Sequence, residues 1–276
     1  MPPHRLHAPT LVGDSIGLTA MRSLLVTAVG DESDLGAALS SGADAIVIDL
    51  EGAIAGDDRA AARACAARFL NEAKSRRDSP TMIVKVSRLG GQETDRDLDA
   101  VMPGAPDAIM LPGSLGAASV QQLSVKLALR EAMSGIDDGS TRILALATQT
   151  ARALFGMASY RGASARLTAL VWSADELSAD LKAETHRDVS GAYVATYRLA
   201  RDLMLFAAAA ARVAAIDAAF PNVADSEGLR TEAEEARRDG FAGKIAMDPI
   251  QARIINEVFG SRSVPLTTRP PTGRAT

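Results

Sequence analysis

The chain has little of what usually announces a specialised role. Its 276 residues include one cysteine, three histidines, one tryptophan and three tyrosines, and aromatics make up only 4%. One cysteine excludes a disulfide framework within the chain, which suits a cytoplasmic setting. Cys65 sits in the helical run "AARACAARFL", where a buried inert thiol is the ordinary reading and a reactive one the alternative. The net charge is −4, and no basic stripe interleaves with aromatics; nucleic acid is not expected as a partner. The longest apolar stretch, "LMLFAAAAARVAAI" at 203–216, is broken by Arg212 and too short for a bilayer span, so no membrane partner is expected. Residues 1–20 carry Asp14 and lack a continuous apolar core, which reads as an N-terminal extension rather than a signal peptide. The Pro-, Thr- and Arg-rich tail, 261–276, reads as disordered.

What remains is a core and a rhythm. The chain is 47% hydrophobic, and its 276 residues are enough for one large α/β domain or two small ones; the segment 21–260 reads as a single barrel domain. Short β-branched or apolar runs alternate with longer helical patterns. "SLLVTAV" (23–29), "AIVIDL" (45–50), "MIVKVS" (82–87), "DAIMLP" (107–112), "RILALAT" (142–148), "LTALVWS" (167–173), "AAIDAAF" (214–220) and "KIAMD" (244–248) read as strands. Helical patterns follow each, among them 58–75, a long stretch at 189–213, and "PIQARIINEVF" with Pro249 at its start. Gly240 is placed to end the charged helix "EGLRTEAEEARRDG". About eight strand–helix units are the number for a (β/α)₈ TIM barrel, here with an extra C-terminal helix. The competing architecture is a doubly wound open sheet, but no G-x-G-x-x-G follows the first strand.

In such a barrel, chemistry sits at the C-terminal ends of strands. Polar residues gather there: Asp49 and Glu51 after strand 2; Lys85, Ser87 and Arg88 at strand 3; Thr148 and Gln149 after strand 5; Ser173, Asp175 and Glu176 after strand 6; Asp217 and Asp248 after strands 7 and 8. Arg22 opens strand 1. Carboxylates converging on one mouth repel unless a cation neutralises them, and a hard ion such as Mg²⁺ is the usual solution. Lys85, flanked by two valines in a buried strand, needs a carboxylate partner, and Asp49 or Glu51 supplies one. Plainer readings stand beside these. Asp49 and Glu51 cap a loop; Lys85 is a structural ion-pair partner; Asp175 and Glu176 are first-turn acids favoured by a helix dipole; Asp217 and Asp248 are turn or cap residues.

Several stretches occur in an order that resembles one family: "MRSLL", "SGADAIVIDLEGAI", "DRAAARA", "VKVSRL", "DAIMLPGS", "LATQTARAL", "LVWSADELSADL" and the run from Ala214 to Phe259. Together they are similar to the HpcH/HpaI aldolase and citrate lyase β-subunit family. The resemblance implies a (β/α)₈ barrel, a trimer or hexamer of identical chains, and carbon–carbon bond chemistry between a 2-oxo acid and an acyl-CoA thioester or aldehyde, with Mg²⁺ or Mn²⁺. It implies catalytic roles for Asp49, Glu51, Lys85 and Asp248, substrate binding by Arg22, Lys85, Ser87 and Ser173, and metal binding at Gln149, Glu176 and Asp175.

The departures from the family pattern fall on this chemistry. The last acid of the strand 2 motif is Gly52, Lys85 and Ser87 stand where Arg and Asn are usual, and a usual Lys after strand 4 is Gly113. A metal-binding Glu aligns with Gln149, a metal-binding Asp with Glu176, and a His-Pro with Asp248-Pro249. Three readings follow: a carbon–carbon lyase with a rebuilt metal site, a silent barrel that binds an acyl thioester or 2-oxo acid in a regulatory or assembly role, and a metal-free aldolase using Lys85 as a Schiff-base amine.

Overall fold

Runs of four to six residues, almost wholly buried, form the strands of this computed structural model, which describes residues 21–29, 32–52, 57–76 and 78–260. The expected extension at 1–20 and tail at 261–276 lie outside the described residues. In chain order the elements are β1 (Ser23–Ala28), α1 (Glu32–Leu39), β2 (Ala45–Asp49), α2 (Asp57–Lys74), β3 (Thr81–Lys85), α3 (Gln92–Val101), β4 (Ala108–Leu111) and α4 (Ala117–Ser134). There follow β5 (Arg142–Leu146), α5 (Ala151–Gly156), β6 (Leu167–Val171), α6 (Asp175–Leu181), α7 (Ala195–Ala211), β7 (Ala214–Asp217), α8 (Ser226–Asp239), β8 (Gly243–Ala246) and α9 (Pro249–Gly260). The strands are parallel and close into a barrel in the order β1 to β8, with β1 paired to both β2 and β8. The sequence expectation of a TIM barrel is therefore met, and the C-terminal helix is α9.

Strand alternation divides the core in two. Leu24, Val47, Ile83, Met110, Leu144, Val171 and Ile216 fill the barrel interior. Their neighbours Leu25, Ile48, Val84, Leu111, Ala145, Leu170 and Ala215 pack outward against the helices. With aromatics scarce, aliphatic residues carry most of this packing, and the seam between β8 and β1 closes on a glycine. A Cβ on Gly243 would lie 2.1 Å from the Met21 carbonyl oxygen and 2.6 Å from that of Arg22. Neither backbone atom can give way without loosening the β1–β8 pairing. Gly243→Ala is expected to cost about 3 kcal/mol or more by overpacking, read as a lowered urea midpoint; an unchanged midpoint would show that the seam yields freely.

The helix expected at 189–213 begins only at Ala195. Asp188 Oδ1 accepts hydrogen bonds from the backbone of Ser190 and Ala192 and from the Ser190 hydroxyl. Gly191 takes a φ of +86°. This local turn competes with helix formation, and it leaves residues 182–194 as a loop over the barrel mouth. The seventh strand likewise stops at Asp217 rather than running to Phe220.

Candidate active site

β2 and β3 pair in register with Asp49 opposite Lys85. Alternation from Val47 and Ile83, which face the axis, turns both side chains inward at the C-terminal end of the barrel. Lys85 Nζ lies 3.1 Å from Asp49 Oδ2 and 3.0 Å from Glu51 Oε2. Arg88 Nε donates to Glu51 Oε1 at 2.9 Å. Burial lowers the pKa of an ammonium, but Asp49 and Glu51 together outweigh it and hold Lys85 above its ordinary value. Lys85 is therefore cationic at neutral pH. A Schiff-base amine needs the opposite shift, so the geometry disfavours the metal-free aldolase reading.

Across the mouth, the loops after β5 and β6 bring Gln149, Ser173 and Glu176 together. Gln149 is 1% exposed and stands behind Glu176. Its Nε2 donates to Glu176 Oε1 at 2.6 Å, and its Oε1 accepts from the Gly113 backbone N–H at 2.5 Å. Ser173 Oγ donates to Glu176 Oε2 at 2.5 Å. Burial pushes the Glu176 carboxyl up; the bonds from Ser173, its own backbone N–H and Gln149, with the Lys85 charge, more than offset this and hold it below the ordinary value.

A cavity of about 440 Å³ opens between these groups, and Asp49, Lys85, Ser173, Asp175 and Glu176 all line it. Its far wall is the 182–194 loop. The Arg187 guanidinium stacks 4.0 Å above the Tyr193 ring and bonds Glu232 of α8 at 2.6 Å. Tyr193 meets Trp172 edge-on at 5.8 Å, and burial pushes its hydroxyl up to about 12. His186, Arg187, Tyr193 and Trp172 line the cavity but were missing from the sequence-derived site. The helical reading of 189–213 hid the loop; the lone tryptophan after β6 was the available signal.

Other expected site residues lie elsewhere. Arg22 precedes β1 and grips Asp44, just before β2, through Nε at 2.7 Å and Nη2 at 2.8 Å. It thus closes the N-terminal end of the barrel, away from the mouth, because a residue that opens a strand belongs to that face. Asp248 accepts from the Gln251 backbone N–H at 2.8 Å, capping the first turn of α9. Ser87 is buried; its Oγ accepts from Arg59 Nη1 at 2.9 Å and its N–H donates to Asp97 Oδ2 at 2.8 Å, so it braces helices rather than facing the cavity. Asp217 points outward into a buried cluster with Lys244 and Arg201.

The expected metal set does not fit a hard divalent cation. Mg²⁺ wants oxygen ligands in near-octahedral array, carboxylates above all. The Gln149 oxygen is taken by Gly113, and its amide nitrogen faces Glu176. Asp175 is 85% exposed in its side chain and turns toward His186, 3.4 Å away. Glu176 alone remains, with both oxygens already accepting hydrogen bonds. Among the described residues, no group of three or more His, Cys, Asp or Glu side chains is arranged to hold a metal ion.

Similarity to known proteins agrees with the fold. The chain is 30% identical to citrate lyase subunit beta of Leuconostoc mesenteroides subsp. cremoris over 79% of its own length and 70% of that protein. It is also 30% identical to a (3S)-malyl-CoA thioesterase of Cereibacter sphaeroides strain ATCC 17025, over 88% of this chain and 78% of the relative. The citrate lyase beta subunit of Mycobacterium tuberculosis, solved with oxaloacetate and magnesium, superposes with a TM-score of 0.69 at 27% identity, covering 86% of this chain and 96% of that one. The CitE protein of the same organism has been solved with magnesium, acetoacetate and coenzyme A; its TM-score is 0.68 at 27% identity, over 86% of this chain and 80% of that one. The family model for HpcH/HpaI aldolase/citrate lyase matches residues 22–249, and the chain belongs to that family.

Proposed function

We propose that this chain is a carbon–carbon lyase or aldolase acting at the barrel mouth on a small hydroxyacyl thioester or hydroxy-oxo acid. One observation carries the reading: the Lys85 ammonium, clamped between Asp49 and Glu51, faces a cavity of substrate size. In the cleavage direction, the substrate hydroxyl gives its proton to a carboxylate of that pair. The carbon–carbon bond breaks, its electrons passing to the α-carbon of the thioester and onto the carbonyl oxygen as an enolate. The hydroxyl-bearing carbon becomes the oxo group of the released 2-oxo acid, and the α-carbon takes a proton. Lys85 stabilises the oxygen that gains charge. Ser173 acts through Glu176 and holds it in place. Relatives solved with oxaloacetate, pyruvate and coenzyme A support the substrate class. Mg²⁺ or Mn²⁺, implied by the resemblance, has no step here because the donor set does not suit it.

A second reading, a silent barrel binding the same ligands, draws on the amide at Gln149, where the family places an anionic ligand. A panel of hydroxyacyl-CoA thioesters distinguishes the two, with released 2-oxo acid read as its phenylhydrazone and free CoA read with a thiol reagent. The 2-oxo acid is expected without free CoA, because carbon–carbon cleavage leaves the thioester intact in the acyl-CoA product. CoA without 2-oxo acid would replace the lyase reading with thioester hydrolysis. Binding without turnover would establish the silent barrel.

We also propose a homo-oligomer, a trimer or hexamer, in the cytoplasm. Leu199, Leu203 and Phe206 form an exposed apolar stripe on α7, and Val125, Leu129 and Met133 another on α4. No helix among the described residues is long and apolar enough to cross a membrane.

A further inference from the structure

We infer that the mouth holds its anionic ligand without a divalent cation, the Gln149 amide standing where a second carboxylate would call for one and Lys85 supplying the positive charge that meets the ligand. This rests on the function proposed above and names the group that meets the ligand in that same site.

The amide is the first observation. It is buried behind Glu176, donates to one carboxylate oxygen and accepts from the Gly113 N–H. Its orientation is fixed by these neighbours: turned over, it would set an oxygen against Glu176 and an NH₂ against the Gly113 N–H. A carboxylate in its place would stand against Glu176 at hydrogen-bond distance, and two such groups need a cation or a shared proton between them. The amide removes that need by donating a hydrogen bond.

The cations are the second. Lys85 is ion-paired to Asp49 and Glu51, and its charge is also felt by Glu176. Arg88 binds Glu51 from the other side. A Cβ built on Gly113, whose φ is +62°, would lie 3.4 Å from Arg88 Cγ and Cδ, so the Arg88 stem lies across the glycine. Arg88 thus brings a cation over the loop whose Gly113 N–H binds Gln149. The three carboxylates Asp49, Glu51 and Glu176 thus meet two fixed cations and two neutral donors, Gln149 and Ser173. A 2-oxo acid entering the cavity meets Lys85 directly.

Calorimetric titration of the full chain with oxaloacetate, once in EDTA and once in millimolar Mg²⁺, tests the inference. The same affinity in both buffers is expected. Binding that appears only with Mg²⁺, or tightens by about tenfold or more with it, would overturn the inference and leave the lyase reading standing. No binding in either buffer would overturn the proposed substrate class, and the inference with it. Gln149→Glu is the complementary variant, for it sets two carboxylates against each other. It is expected to bind Mg²⁺ alone about 10- to 100-fold more tightly than the parent chain, read as a Mg²⁺-dependent rise in melting temperature. If this variant unfolds in EDTA, recovery of its circular dichroism on adding Mg²⁺ gives the same readout. A variant indifferent to Mg²⁺ would show that residue 149 does not govern metal binding and would overturn the assignment.

Discussion

Lys244→Met is expected to lower the melting temperature by roughly 6–20 °C, from a loss of about 3–5 kcal/mol when one member of a buried ion cluster is removed. Lys244 and Asp217 are both 0% exposed in their side chains. The ammonium bonds Asp217 Oδ2 at 2.8 Å and Glu232 Oε1 at 2.7 Å. Arg201 holds the other Asp217 oxygen at 2.9 Å and reaches Asp239 at 3.0 Å. Methionine matches the lysine stem in shape, so the loss comes chiefly from charges stranded in a dry interior. Burial pushes the Asp217 carboxyl up, but Lys244 and Arg201 overcome it and hold the group below its ordinary value. A depressed carboxylate contributes stability above its unfolded pKa and loses it as pH falls through the folded one. Burial lowers Lys244 while Asp217 and Glu232 raise it further, so its folded pKa lies above the ordinary value. Its contribution is complete below the unfolded pKa and fades as pH rises through the folded one. The parent chain should thus lose stability from this cluster at both extremes of pH. In the variant the alkaline loss disappears and the acid loss begins at higher pH, because Asp217 has fewer counter-charges. Thermal melts across pH check both limbs; a melting temperature equal to the parent's near neutrality would remove the cluster from the account of stability.

Lys85→Met is expected to reduce kcat by about 10²–10³-fold, the loss typical of removing one group that stabilises a developing oxyanion. The melting temperature should fall less than in Lys244→Met, since Lys85, Asp49 and Glu51 each keep about a fifth of their side-chain surface in solvent, where water offsets part of the lost pairing. Lys85→Arg keeps the charge but spreads it over a planar fork, and should recover part of the rate. A loss confined to KM, with kcat unchanged, would mean that Lys85 only binds substrate and does not meet charge formed in the transition state.

The barrel was legible in the sequence because eight apolar runs at helix-separated spacing leave few other architectures. The mouth was legible in part for the same reason: strand period alone sends Asp49 and Lys85 to the same side. Each misplaced residue has its own cause. Arg22 was gathered with the others as a strand-associated cation, although a residue that opens a strand faces the opposite end of the barrel. Asp217 lies at a strand end, but one step out of phase with Ile216, so it points to the helices. Asp248 satisfies the backbone of its own helix. The far wall was hidden because Asp188 and Gly191 interrupt a helical pattern that composition alone carries through. The Gln149–Gly113 bond spans two loops brought side by side only by the closed sheet.

One fastening of the cavity's far wall is a chain of ion pairs. Arg187 reaches from the loop to Glu232, Glu232 to Lys244, and Lys244 to Asp217 beneath the strands. The loop therefore behaves as a cassette with a charged rivet set into buried charges of the barrel, beside the packing of Tyr193 on Trp172. The wall's outer residues can be exchanged to reshape the cavity for larger or smaller acyl groups while the rivet stays. A change that pulls it out would alter selectivity and robustness in one stroke. Divergence of substrate choice along this surface is thereby channelled into positions on either side of Arg187, leaving the arginine itself the least replaceable member of the wall.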